Sequence, residues 1–427
     1  MLCEKAEGSK IDKKRAVNYK LMIKETKMEK RQFLKIAGLF LIVLALTSPL
    51  KAEQPIKIAQ LACLTGPYEA YAKQAVEGFK LGLEYATNGT FEVLGRPIEV
   101  IVKDTQMKPD MGKQLLTAAF QDDKVDLAVG PVSSAVAMAC LPVAKEFKKI
   151  LIVEPAVADS ITGKAWNRYV FRTGRNSSQD AIAGAAAIGG PGVNVAYIAQ
   201  DYTFGRDGVA TAKEALAATG ATVVHEEYMP LNTVDFTAPA QRIIQAMSKV
   251  KGKKYLAIYW AGKNNPTAKL NAMKLDKRYN INLAVGGNII DVLKTYKTLV
   301  GAEGGNYYYY ESPKNEINDW LVKEHFKRFN SPPDFFTCGG MTAALAVVKA
   351  LKEAKTTDTE ILIQTMEGMK FFTPKGEMVF RKEDHQALQD MYAFKITTRK
   401  DVDWGIPEVT KVISYKDMNI PIRNTGN

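Results

Sequence analysis

Short apolar runs alternate with segments of helical periodicity from residue 56 onward, and this alternation constrains the fold more than any other feature of the chain. Many of the runs are continuously apolar, which is typical of strands buried on both faces of a parallel sheet. Strands are predicted at 56–64, 98–103, 125–129, 150–154, 193–199, 255–260 and 282–285. Repeated βαβ units predict an α/β fold with parallel sheets and right-handed crossovers.

The chain is expected to fold as two lobes. Its 427 residues exceed the roughly 250–300 residues at which a single core stops growing. A polar stretch near 172–178 ends the first series of units, and a Gly-rich turn at 301–311 ends the second. The four tyrosines at 307–310 are predicted to be a crossover strand between the lobes. Further helices are predicted at 315–329 and 336–354, and further strands near 376–380, 390–396 and 409–415.

The N-terminus has the pattern of an export signal. Residues 30–35 are basic, and residues 36–50 carry no charge, a run shorter than the ~20 residues that span a bilayer. We therefore expect residues 1–27 to be an upstream extension and residues 28–52 to be a signal peptide cleaved near Ala52, which predicts a periplasmic protein. The basic run resembles the twin-arginine motif with Lys30 in place of the first arginine, so the export route stays open. An uncleaved anchor helix is the alternative.

Charge and motif content exclude several functional classes. Residues 1–52 hold 12 basic and 5 acidic residues, which leaves a net charge of only +5 on the rest, too little for nucleic-acid binding. The 4 cysteines and 3 histidines have no metal-site spacing and no nucleophile–base pattern. Neither a GxSxG elbow nor a phosphate loop is found. We therefore expect no enzymatic activity, no catalytic residue, no metal and no cofactor.

Candidate ligand-binding residues follow the predicted strands, because ligands of open α/β sheets bind beyond the carboxyl ends of the strands. Ser133 and Ser134 lie where a strand turns into a helix. Free N–H groups and the helix dipole favour a carboxylate there, although plain N-capping is the alternative. The candidates chosen in this way are Tyr71, Ser133, Ser134, Ala156, Ala158, Tyr202, Phe204, Gly262 and Asn288.

An ordered set of short motifs resembles the periplasmic branched-chain amino-acid-binding proteins, the leucine-binding protein-like partners of ABC transporters. The motifs are residues 64–71 (Leu-Thr-Gly-Pro-Tyr-Glu-Ala-Tyr), 129–134 (Val-Gly-Pro-Val-Ser-Ser), 155–158 (Pro-Ala-Val-Ala), 171–174 (Phe-Arg-Thr-Gly), 201–205 (Asp-Tyr-Thr-Phe-Gly) and 384–386 (Asp-His-Gln). The resemblance implies a type I periplasmic binding fold, in which two Rossmann-like lobes with parallel sheets are joined by three crossover strands. It places residues 53–173 and 306–390 in lobe 1, and residues 174–305 and 391–427 in lobe 2.

The resemblance also implies roles for individual residues. Ser133 or Ser134 and the backbone at Ala156 match positions that hold the ligand carboxylate. Ala158 stands where the family often has threonine, so a hydroxyl is missing there. Tyr71 on the first lobe, and Tyr202 or Phe204 on the second, match aromatic positions of the side-chain pocket.

Two departures from the family pattern bear on the ligand. The family usually grips the ligand's ammonium with carboxylates near positions 176 and 288, where this chain has Asn176 and Asn288. A buried ammonium without a negative partner is costly, and Arg175 adds positive charge. We therefore expect a small carboxylate or amide ligand without a free amino group. The aromatic residues of the cleft would also suit a ligand with an aromatic ring. The alternative is an ordinary branched-chain or other amino-acid-binding protein in which another acid takes over, namely Asp201, Asp291 or Glu311.

The partners follow from the resemblance. A small-molecule ligand and an ABC permease in the inner membrane are expected, with no nucleic acid, and the protein is expected to be a monomer. A ligand-sensing receptor module of the same fold is the second alternative.

Overall fold

The computed structural model describes residues 54–424, together with Lys24 and Lys27. The predicted signal peptide, residues 28–52, lies outside the described residues. So does the predicted extension, residues 1–27, apart from those two lysines.

Strands and helices alternate along most of the described chain. The strands are β1 (Ile56–Ala62), β2 (Glu92–Val93), β3 (Arg96–Asp104), β4 (Leu127–Val129), β5 (Leu151–Val153), β6 (Val170–Arg172), β7 (Val193–Gln200), β8 (Thr222–Met229), β9 (Lys253–Tyr259), β10 (Asn282–Ala284), β11 (Glu303–Asn306), β12 (Lys370–Thr373), β13 (Gly376–Phe380), β14 (Ala387–Leu388), β15 (Met391–Thr397) and β16 (Ile406–Ile413). The helices are α1 (Glu69–Ala86), α2 (Pro109–Gln121), α3 (Ser134–Phe147), α4 (Ser177–Ile188), α5 (Thr203–Ala217), α6 (Thr237–Ser248), α7 (Thr267–Ala272), α8 (Leu275–Tyr279), α9 (Ile290–Tyr296), α10 (Glu316–Phe329), α11 (Phe335–Ala354) and α12 (Thr359–Met366).

The first six strands form one sheet in the order β2-β3-β1-β4-β5-β6. β1 pairs in parallel with β3 and β4, and β5 and β6 continue the parallel series, while β2 is a short antiparallel edge. Every residue of β4, β5 and β6 is buried, as their continuous apolar runs predict. The prediction of an α/β fold with parallel sheets is confirmed for this half of the chain.

The second sheet has seven strands in the order β16-β15-β11-β10-β9-β7-β8. β7 to β11 run parallel, whereas β15 is antiparallel to both β11 and β16. The edge strand β8 was not among the predicted strands. It carries His225, Glu226 and Glu227 and is half-exposed, so it lacks the continuous apolar run by which the other parallel strands are recognised.

The chain passes three times between these two halves, after β6, after β11 and between β14 and β15. The small sheet β12-β13-β14 belongs with the first half, since Phe371, Met378 and Phe380 pack into the core of the six-stranded sheet. We propose that the two halves are the expected lobes. The six-stranded sheet with its helices and the small sheet is called lobe 1, and the seven-stranded sheet with its helices is called lobe 2.

Two segments differ from the expectations. The prediction of a strand at 307–310 is wrong, because β11 ends at Asn306 and the four tyrosines lie in the irregular segment that follows. Their side chains hold them instead, with the Tyr308 hydroxyl donating to Asn318 Oδ1 (2.9 Å). The C-terminal residues, expected in lobe 2, return to lobe 1 after β16, where Arg381 Nη1 donates to the Ile420 carbonyl (2.7 Å).

Helix α11 is the one described helix that is long and apolar enough to span a membrane by length and composition, and 89% of that stretch is buried within the protein. It packs along α1 through glycines. A methyl group on Gly340 would lie 2.1 Å from the Ala75 carbonyl oxygen, and one on Gly78 would lie 2.0 Å from the Thr337 carbonyl oxygen. The two helices therefore approach to backbone contact, which fits a core helix of lobe 1.

We predict that Gly340→Ala lowers the free energy of unfolding by about 1–3 kcal/mol, because backbone atoms must move apart to admit the methyl group. Gly184→Ala in α4 is the matched control. A methyl group at Gly184 meets nothing within 4 Å, so this change is expected to raise stability by up to about 1 kcal/mol through helix propensity alone. Urea unfolding measures both, and equal effects of the two substitutions would contradict the close packing of α1 and α11.

Candidate functional site

A cavity of about 160 Å³ lies between the lobes at the carboxyl ends of the parallel strands. Both lobes contribute to its wall, with Tyr71 and Ser134 from lobe 1 and Tyr202 and Tyr259 from lobe 2. Six of the predicted ligand-binding residues line it, namely Tyr71, Ser134, Arg175, Tyr202, Phe204 and Asn288. The strand-end rule therefore brings residues from distant parts of the chain to one place.

The N-terminus of α3 forms the polar corner of lobe 1. Ser133 is its N-cap residue, and the buried Ser133 Oγ has no hydrogen-bond partner among residues 54–424. Ser134 lines the cavity, and its Oγ accepts from the Ala158 N–H (3.2 Å), which leaves its own hydroxyl hydrogen available. Because helix N-termini favour negative charge, this corner suits an anionic oxygen.

Ala156 and Ala158 do not line the cavity in the described part of the chain. Their carbonyl oxygens face the buried Arg172, whose Nη1 donates to Ala158 O (2.7 Å) and more weakly to Ala156 O (3.5 Å). The Ala158 N–H also donates to Ser134 Oγ. The backbone groups of Ala156 and Ala158 therefore fix the conformation of the loop that follows β5. A direct ligand contact at Ala156 or Ala158 stays a prediction.

Asn176 is occupied by helix capping. Its Oδ1 accepts from the Gln179 N–H (2.8 Å), and its own N–H donates to Gln179 Oε1 (2.9 Å), which together form a capping box at the start of α4. Asn176 is buried behind the wall and, within the described residues, is not part of the cavity lining. The structure thus gives this candidate a structural role.

Arg175 brings a cation to the cavity, and Asp180 brings a carboxylate that the sequence reasoning missed. Arg175 Nε donates to Asp180 Oδ1 (3.0 Å), and the guanidinium stacks over the rings of Tyr307 (4.7 Å) and Phe335 (5.1 Å). Burial raises the pKa of Asp180, although Arg175 opposes that rise. The available signal was spacing, because Asp180 lies one helical turn after the N-cap Asn176 on the helix that follows the first crossover.

The acids considered as substitutes for the missing carboxylates lie elsewhere. Asp201, Asp291 and Glu311 do not belong to the cavity lining of the described chain. Each makes an ion pair instead, Asp201 with Arg206 (2.7 Å), Asp291 with Lys294 (2.9 Å) and Glu311 with Arg399 (2.8 Å). Asp180 is the carboxylate that the cavity offers.

Aromatic rings wall the cavity on both sides. On lobe 1 the ring centroids of Tyr71 and Phe336 lie 4.3 Å apart, and on lobe 2 Phe204 lies 5.7 Å from Tyr202 and 4.8 Å from Tyr259. Burial raises the pKa of Tyr202, so its hydroxyl stays protonated at neutral pH. The site combines flat apolar surfaces with a few hydroxyl groups.

The two lobes touch directly at the mouth of the cavity. The Tyr71 hydroxyl donates to Asn288 Oδ1 (3.1 Å) and accepts from the Gly262 N–H (2.9 Å), both in lobe 2. The Tyr68 and Tyr202 hydroxyls hydrogen-bond across the same gap. Tyr71, Gly262 and Asn288, all predicted ligand contacts, are thus brought together, and Tyr71 contacts the other two. The lobes thus contact each other directly across the cleft.

The contact between the lobes requires a glycine at position 262. Its φ is +74°, and a Cβ there would lie 2.5 Å from the Tyr68 ring and 2.7 Å from the Pro67 carbonyl oxygen, both in lobe 1. The position therefore requires glycine for its backbone conformation and for the approach of the other lobe. Within the described residues, Gly262 itself does not line the cavity.

Comparisons with known proteins agree with this architecture. Residues 55–401 match the periplasmic binding protein family. An ABC-type branched-chain amino acid transporter protein of known structure from Rhodopseudomonas palustris is 60% identical, with 87% of this chain and 100% of that chain covered and a TM-score of 0.78. A solute-binding protein of an ABC transporter from R. palustris BisB5, solved with 3,4-dihydroxybenzoic acid, is 25% identical, with 85% and 98% covered and a TM-score of 0.73. Leu/Ile/Val-binding protein homolog 6 of Brucella melitensis is 25% identical over 384 residues, or 86% of this chain and 94% of that protein.

The chain belongs to the periplasmic binding protein family. The resemblance stated from the short motifs is confirmed, and so is the type I fold that it implied. The protein is the substrate-binding component of an ABC transporter, and membership of the family implies a small-molecule ligand, a permease partner and a periplasmic location.

We predict that Asn176→Ala lowers the free energy of unfolding by about 1 kcal/mol, because the helix loses its capping acceptor. Asn315→Ala is the matched comparison, since Asn315 caps α10 through the Ile317 and Asn318 N–H groups, and it should lose a similar amount. Thermal and urea unfolding in ligand-free buffer give the values. An Asn176→Ala variant as stable as the wild type would contradict the capping role.

Proposed function

We propose that the protein captures a single-ring carboxylate that lacks a free ammonium group and delivers it to an ABC permease. The observation that carries the proposal is the composition of the cavity, which pairs aromatic walls with an anion-favouring helix terminus. Its carboxylate, Asp180, is already neutralised by Arg175.

The size of the cavity favours one ring. It holds about 160 Å³, and a cavity of about 150 Å³ lined by apolar side chains in another protein is known to hold benzene. The rings of Tyr71 (lobe 1) and Phe204 (lobe 2) both line the cavity and suit contact with an aromatic ligand, because stacked or edge-on aromatic pairs are favourable. A benzoate-sized molecule fits these limits.

The polar groups favour a carboxylate over an ammonium. Ser134 and the N-terminus of α3 present donors to an anion, and Arg175 adds a positive charge on the lobe 2 side. Asn288, which stands where the family usually has an acid, can donate through its amide nitrogen. An ammonium would find Arg175 3.0 Å from the carboxylate that it needs.

The relatives support two ligand classes. The R. palustris BisB5 protein was solved with 3,4-dihydroxybenzoic acid, which favours an aromatic acid. The 60% identical R. palustris protein and the Brucella homologue carry branched-chain amino-acid names, which favour the second candidate, an ordinary amino acid with Asp180 as the ammonium partner. We place the aromatic acid first because Asp180 is paired with Arg175 and because the walls are aromatic.

Ligand capture follows from the two-lobed geometry. Each lobe holds part of the wall, so the full set of ligand contacts exists only when the cleft is shut. The ligand stabilises the closed form by its greater affinity for it, and the permease then recognises the closed lobes. The contacts of Tyr71 with Asn288 and Gly262 add to this closed state from the protein side.

Isothermal titration calorimetry with benzoate and leucine tests the ligand class. Benzoate is expected to bind at least about tenfold more tightly than leucine, a difference of about 1.4 kcal/mol. Arg175→Met is expected to weaken benzoate binding by about tenfold or more, because Asp180 loses the cation that neutralises it and then repels the ligand carboxylate. Arg206→Met, which breaks a similar ion pair at the surface, is the control and should change nothing. If leucine instead binds tightly and Asp180→Asn abolishes that binding, the aromatic-acid proposal is contradicted and the amino-acid alternative is favoured.

A further inference from the structure

Within residues 54–424, one carboxylate oxygen of Asp180 is hydrogen-bonded and the other is not. Oδ1 accepts from Arg175 Nε (3.0 Å), whereas Oδ2 has no hydrogen-bond partner among residues 54–424. The residue lines the cavity, and 23% of its side chain is accessible although protein surrounds the site. The accessible part therefore faces the space that a ligand would fill.

The unpaired oxygen sets a requirement on the ligand. While the cavity is open, water can satisfy Oδ2, but a ligand that fills the cavity excludes that water. A buried acceptor left without a donor weakens binding by about tenfold. A ligand that brings a donor to Oδ2 avoids this loss, so the ligand's outer part is expected to carry an O–H or N–H group.

The neighbouring cation decides which donor fits. Arg175 is ion-paired with Asp180 and also stacks on the rings of Tyr307 and Phe335. Its positive charge disfavours an ammonium at Oδ2 and tolerates a neutral hydroxyl. Tyr259 lies on the same wall, and its buried hydroxyl also lacks a hydrogen-bond partner in the described structure. This side of lobe 2 is built to meet a polar, uncharged substituent.

We propose that Asp180 accepts a hydrogen bond from a hydroxyl group on the ligand ring, so that the preferred ligands are hydroxylated single-ring carboxylates. The inference rests on the proposed function and adds to it a residue that selects among aromatic acids. It assigns the carboxylate of the ligand to the lobe 1 corner at Ser134 and the N-terminus of α3, and the ring hydroxyl to lobe 2. The ligand then bridges the two lobes through a polar group at each end.

Calorimetry with matched ligands tests this directly on the wild-type protein. The probes are 3- and 4-hydroxybenzoate, each compared with the fluorobenzoate of the same substitution pattern, because fluorine is similar in size to a hydroxyl and donates no hydrogen bond. At least one hydroxybenzoate is expected to bind about tenfold or more tightly than its fluoro counterpart. This comparison needs no variant and is independent of any folding defect.

Asp180→Asn identifies the residue responsible. The amide keeps an oxygen for Arg175 and presents NH₂ where the wild type presents Oδ2, so the preference for hydroxyl over fluorine should shrink to about threefold or less. Asp201→Asn is the matched control, because Asp201 also accepts from an arginine five residues away, Arg206 Nε (2.8 Å), but lies outside the cavity wall. Its hydroxyl preference should equal that of the wild type.

The outcomes separate the two proposals. If hydroxy- and fluorobenzoates bind equally well to the wild type, Asp180 does not select a hydroxyl, and the proposed function stands without this inference. If the hydroxyl preference survives in Asp180→Asn, the preference arises elsewhere and this inference is overturned. If neither benzoate nor its derivatives bind while leucine does, both proposals fail.

Discussion

The contact of the Tyr71 hydroxyl with Gly262 and Asn288 is the interaction on which the rest of the site depends. It joins the first helix of lobe 1 to two separate loops of lobe 2, and two of its members, Tyr71 and Asn288, line the cavity. Because Gly262 has no side chain, its backbone lies close to the Tyr68 ring and the Pro67 carbonyl oxygen, and a larger residue there would keep the lobes apart. The enclosed volume, and with it the ligand size, is therefore set by how closely the two lobes meet.

Much of this architecture can be predicted from the sequence, because strands that are buried on both faces of a parallel sheet consist of consecutive apolar residues. Strands such as β4 and β5 were found within a few residues, and the rule that ligands bind at strand ends brought Ser134 and Tyr202 to one cavity. The ordered motifs then identified the family, since each follows a strand end whose position the fold constrains. The general location of the site was thus predictable without knowledge of any contact.

Other features depend on contacts that spacing does not reveal. Asn176 was predicted to meet the ligand, but it caps α4, and the cavity carboxylate comes from Asp180 one turn later. The edge strand β8 was missed because its charged residues hide the strand pattern, and the tyrosines at 307–310 are held by side-chain hydrogen bonds rather than by a sheet. In each case the outcome depends on particular hydrogen bonds or on strand pairing, which residue spacing alone does not reveal.

The most direct test of cleft closure is a distance measured between the lobes by pulsed electron paramagnetic resonance. Spin labels on cysteines introduced at Asp110 of α2 and Ala238 of α6 would report it, in a background that carries Cys3→Ser. The cysteines at 63, 140 and 338 are buried. Saturating 4-hydroxybenzoate is expected to shorten the distance in the wild type and in Gly301→Ala, whose glycine has a positive φ but no contact with lobe 1, and not in Gly262→Ala. An unchanged distance in the wild type, or full shortening in Gly262→Ala, would contradict closure through this contact.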